Sequence, residues 1–91
     1  MLCATVVGRV WSTKRVAEMP VGSILEVLAE NSPTRLVAFD PLGCGDGERV
    51  IIATGSVAAA WFPGKPPPID ALIIGIVDET AYAGERSRKS P

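Results

Sequence analysis

The sequence has no histidine, so the side chain that most often serves as general base and as metal ligand is missing from the whole chain. It has two cysteines, Cys3 and Cys44, far apart and outside any CxxC or metal-ligand spacing. Both are expected to be free, buried or half-buried thiols behaving as small hydrophobes. The aromatics are only Trp11, Phe39, Trp61, Phe62 and Tyr82, scattered rather than alternating along a strand pair as a base-stacking platform requires. The longest strongly apolar run, Ala71 to Val77, falls short of the roughly 17 to 25 residues that a bilayer-spanning helix needs. Met1 to Val7 lacks a basic region, a long apolar core and a small-residue cleavage site, so a cytosolic setting without a membrane partner is expected.

A positive surface is lacking too. The net charge is −1, and residues 1 to 80 hold nine acids against six bases, while the segment from Ala81 carries Arg86, Arg88 and Lys89 against Glu85. A body of that sign opposes a phosphate-binding role, whose affinity rests on clustered Lys and Arg.

What is present is apolar. Of 91 residues, 47% are hydrophobic and 21% charged, too greasy a mixture for intrinsic disorder and enough for one small core. The apolar segments are short, rich in Val, Ile and Leu, and divided by Gly, Pro, Asn or Asp, which predicts β-structure. Five strands are expected, at about Cys3 to Ser12, Ser23 to Leu28, Arg35 to Asp40, Arg49 to Thr54 and Leu72 to Val77. Between the last two, Gly55-Ser56 precedes Val57 to Trp61, a run of helix formers with a serine positioned to cap the first free amides. That helix must stop before Pro63-Gly64, and Pro66-Pro67-Pro68 forces an extended connector into the last strand. The expected fold is mainly β, a small five-stranded barrel resembling the oligonucleotide/oligosaccharide-binding (OB) type, with one short helix before the last strand. A small sandwich is the alternative. Residues 1 to 80 would form this domain and 81 to 91 a polar, mobile tail.

Val50 to Ala53 and Leu72 to Val77 are apolar on both strand faces, whereas a strand with one wet face alternates. One short helix and a proline connector offer little cover, which points to other copies of the same chain.

The densest special segment is Asp40-Pro41-Leu42-Gly43-Cys44-Gly45-Asp46-Gly47-Glu48, with glycine at alternate positions where positive φ or close backbone approach is permitted. It fails as a phosphate cradle, because no Lys-Ser/Thr pair and no helix follows, and as a calcium loop, because its acids lack EF-hand spacing. A nucleophilic Cys44 would need a base or cation beside it, and only Lys or Arg could serve. A tight glycine loop packed against backbone is the plainer reading. Lys14 and Arg15 beside Trp11 read as a solvated loop rather than a nucleic-acid site.

Four blocks in order carry a family resemblance: Gly8 to Lys14, Val37 to Val50, Gly55 to Ala58, and Ile69 to Asp78. Together they resemble the bacterial microcompartment vertex family of EutN/CcmL type, the pentameric shell proteins of carboxysomes and related compartments. The resemblance implies an OB-type barrel in a ring of five that closes the vertices of a polyhedral shell whose facets are hexameric tiles, with no catalysis and no cofactor. It places Gly43, Cys44, Gly45 and Asp46 near the ring axis. It makes Ser12, Thr13, Lys14, Asp40, Gly55, Ser56 and Val57 subunit or tile contacts. The chain departs from the family's usual alanine at Cys44, from its frequent arginine at Ala59, and from its longer stretch between the second and third strands than Ala29 to Thr34 supplies. The first departure would put thiols at the opening. The rival readings are a monomeric OB-type module for single-stranded nucleic acid, and an enzyme or redox protein using Cys44.

Overall fold

A computed structural model describes residues 1–78. The strands are β1 (Leu2–Val10), β2 (Ser23–Ala29), β3 (Arg35–Asp40), β4 (Arg49–Thr54) and β5 (Ala71–Ile76), with helix α1 (Ser56–Ala60) between the last two. They close into a barrel in the order β1-β2-β3-β5-β4, the architecture expected from the sequence. All neighbours pair antiparallel except β3 and β5, which run parallel and meet at the single pair Phe39↔Leu72.

Alternation along each strand sends Ala4 and Val6, Leu25 and Val27, Ala38, Val50 and Ile52, and Ala71 and Ile73 into one buried cluster. Closure buries that cluster, and burial stabilises by about 25 cal/mol per Å² of apolar surface removed from water. A second cluster lies where Ala58, Ile69 and Leu72 meet Phe39, with Met19 and Phe62 against it. Phe39 packs edge-on against Phe62 at 5.5 Å, and Phe62 against Trp61 at 5.0 Å, so the end of α1 is pinned to β3 through an aromatic chain.

Helix and connector therefore cover part of the second strand face, but not all of it. Pairing shifts between Val6 and Gly8 in β1, and again where Ile51↔Gly75 gives way to Ile52↔Ile73. Each shift inserts one extra residue, Val7 or Ile74, and an inserted residue re-aims its side chain. Val7 is 38% and Ile74 43% exposed, with Ile76, Val57 and Trp61 exposed as well. The doubled apolar residues Val6-Val7 and Ile73-Ile74 thus mark bulges.

Boundaries differ from the sequence expectation in particular places. β1 ends at Val10, leaving Trp11 and Ser12 in an exposed loop, with Arg9 stacked 5.2 Å from the Trp11 ring. Ser56 does not cap α1, because Gly55 occupies the cap position with φ 74° and no side-chain cap bond forms. The tail expected at 81 to 91 lies outside the described residues.

Candidate functional site

The segment joining β3 to β4 is built around a carboxylate. Asp40, last residue of β3, is only 3% exposed, and its two oxygens gather four donors from the chain that follows. Leu42 N–H donates to Oδ1 at 2.9 Å and Gly43 N–H to the same oxygen at 3.2 Å. Cys44 N–H donates to Oδ2 at 2.8 Å, and the Cys44 thiol lies 3.4 Å from Oδ1. A buried carboxylate is costly unless its lone pairs are filled, and here they are. Among the described residues, no buried side-chain N or O is left without a partner.

Glu48 closes the other half of the loop by accepting from Gly45 N–H. Gly47 N–H donates to Val6 O at 2.8 Å and Val6 N–H to Glu48 O at 3.0 Å, which fastens the loop to β1 at its bulge. Positive φ is required at Gly43 (84°) and Gly47 (85°). Gly45 has no such requirement, and a Cβ there would meet only Glu48 Oε1 at 3.5 Å, an ordinary contact.

The Cys44 side chain is turned inward, 5% exposed, and belongs to the barrel's main cluster. Burial pushes its thiol up to about 12, helped by the bond to Asp40 and by the negative charges of Asp40 and Glu48. A thiol held protonated in this way is a poor nucleophile. Within the subunit the sulfur faces the barrel's own core, while Gly43, Gly45, Asp46 and Gly47 form the outer surface.

The other sequence candidates fall elsewhere. Ser12, Thr13 and Lys14 stand exposed in the loop between β1 and β2, where Arg15 donates to Ser12 Oγ at 3.2 Å and to Gly22 O at 2.8 Å. Gly55, Ser56 and Val57 open α1 and are exposed. Asp40 differs from all of these in being buried, and its carboxylate is fully engaged by its own loop. Sequence reasoning had no signal for that engagement beyond the short spacing from Asp40 to Gly43. An apolar recess lined by Met19, Ile24, Val37, Phe39 and Ile69 opens beside the parallel β3–β5 contact. It was not foreseen, because its walls come from segments distant in sequence.

The family model described as "Ethanolamine utilisation protein EutN/carboxysome" matches residues 1–78. The microcompartment shell vertex protein EutN of Escherichia coli is 41% identical over 49 residues, 54% of this chain and 52% of that one, so this alignment spans about half the relative's length. EutN of Salmonella typhimurium is 33% identical over 90 residues, 93% of this chain and 91% of the relative. Among solved structures, a pentameric shell protein of the RMM microcompartment superposes with a TM-score of 0.84 at 59% identity, covering 88% of this chain and 93% of that one. These relatives are shell proteins and lend nothing to the nucleic-acid alternative. With the barrel, the bulged strands and the carboxylate-centred loop in place, the chain belongs to the EutN/CcmL family of microcompartment shell vertex proteins.

Proposed function

We propose that this chain is a structural shell subunit that assembles as a pentamer and caps the vertices of a polyhedral bacterial microcompartment in the cytoplasm. Its neighbours there are hexameric shell tiles, its product is geometry, and it carries out no reaction. The observation that carries this reading is the 59% identity to a pentameric shell protein over 88% of the chain. The aliphatic side chains turned outward by the two bulges, Val7 and Ile74, are suited to burial against a sibling subunit. The inert thiol at Cys44 speaks against the redox alternative, and the acidic body against nucleic acid.

In the assembled ring, Gly43, Cys44, Gly45 and Asp46 lie at the axis, with loop backbone and the Asp46 carboxylate facing the opening. Ser12, Thr13, Lys14, Gly55, Ser56 and Val57 contact a neighbouring subunit or tile, and Asp40 contributes through the loop it holds. Native mass spectrometry of the purified chain tests the ring, with a species of five subunits expected and a monomer at micromolar concentration refuting it. Gly45→Val tests the axial placement. A Cβ at Gly45 meets only Glu48 Oε1, at an ordinary 3.5 Å, in the isolated subunit, so the variant should still fold yet fail to form rings. Undiminished ring yield would remove the loop from the axis.

A further inference from the structure

The geometry points to Asp40 as the positioning residue of the first half of the β3–β4 loop, its buried carboxylate acting as an internal template for the path of residues 41 to 44. This inference rests on the shell-subunit reading and names the residue on which the shape of its axial surface depends.

Three features support it. First, the donors come from consecutive residues, Leu42, Gly43 and Cys44, so one side chain dictates the direction of three successive peptide units. Second, Leu42 and Gly43 are exposed, so nothing packed over them in the subunit fixes their path, whereas Gly45 and Gly47 are held by Glu48 and by β1. Third, the restraint is anchored twice in rigid structure, by Asp40 at the end of β3 and by the inward Cys44 side chain in the barrel core. Backbone that must meet four copies of itself around an axis needs a defined path before assembly, because ordering it on contact would cost conformational entropy in every subunit.

Oδ1 accepts from Leu42 and Gly43, while Oδ2 accepts from Cys44 N–H. Asp40→Asn keeps shape and volume but turns one acceptor into a donor, so at least one loop amide must face an N–H it cannot bond.

The test uses the full chain with Cys3→Ser, so that Cys44 is the sole thiol. In the parent, Cys44 should label slowly with a maleimide. Asp40→Asn should raise the labelling rate by about tenfold or more through local opening, without loss of the cooperative melting transition, and should lower ring yield. Unchanged labelling and unchanged rings in Asp40→Asn would overturn the proposal. A freed thiol with full ring yield would overturn it as well, since loop shape would then be irrelevant to assembly. Should Asp40→Asn fail to fold, hydrogen exchange in the parent decides. The amides of Leu42, Gly43 and Cys44 should exchange far more slowly than that of Asp46, and equal rates would refute the template. Thiol and amide protection are readable in a monomer, so a parent that forms no ring refutes the shell reading without touching these two measurements.

Discussion

At the scale of single residues, the barrel depends on a few close approaches. A Cβ on Gly22 would lie 2.5 Å from Phe39 Cζ, nearer than real contacts allow, so Gly22→Ala must push the ring out of its seat against Phe62. Overpacking of this kind costs about 1 to 3 kcal/mol, readable as a lowered urea midpoint with unchanged slope. Cys44 gives a second outcome, in pH. Its folded-state pKa, raised from 9.0 to about 12, lies above the unfolded value, so the associated stability is complete below pH 9 and is lost as pH rises toward 12. Unfolding free energy should fall through that window by about 1.4 kcal/mol per pH unit more in the parent than in Cys44→Ala. Parallel slopes for the two proteins would show that the thiol is not held protonated. The glycines at 43 and 47 were legible as turn residues from their spacing. The inward course of Cys44 was not, because whether a loop residue faces core or solvent depends on a carboxylate acting across four residues, and local propensity does not encode that.

At the scale of elements, the five strands were readable because short β-branched runs between turn residues leave little choice of secondary structure. Their order around the barrel was not, since pairing β5 between β3 and β4 joins segments separated by a helix and a proline connector. The helix α1, five residues long, is too short to persist alone and owes its existence to packing. Its own Ala58 is fully buried, and Phe62 anchors its end. Phe62→Ala should therefore release the helix and connector together and destabilise the barrel by about 2 to 4 kcal/mol, measured by thermal melting with near-ultraviolet circular dichroism. The cap expected from Ser56 falls one residue early, at Gly55, because the chain leaves β4 in a turn that only positive φ accommodates.

At the scale of the whole molecule, the run of apolar residues on both faces of β4 and β5 was the sequence's main pointer beyond the single chain. The structure divides that run into a part covered by α1 and a part left outside at the bulges. Ile74→Asp should leave the isolated subunit's stability within about 0.5 kcal/mol, as for a surface change, while reducing pentamer in size-exclusion chromatography coupled to light scattering. Intact pentamers would move the sibling contact away from β5.

The barrel is stitched by antiparallel ladders except between β3 and β5, where the ladder is reduced to the single parallel pair Phe39↔Leu72. A hoop with one thin weld yields there when it is compressed or twisted. Fitting five rigid wedges into a curved lattice would concentrate distortion along that line, and amide exchange compared between free and assembled protein should differ there more than along the β1–β2 ladder.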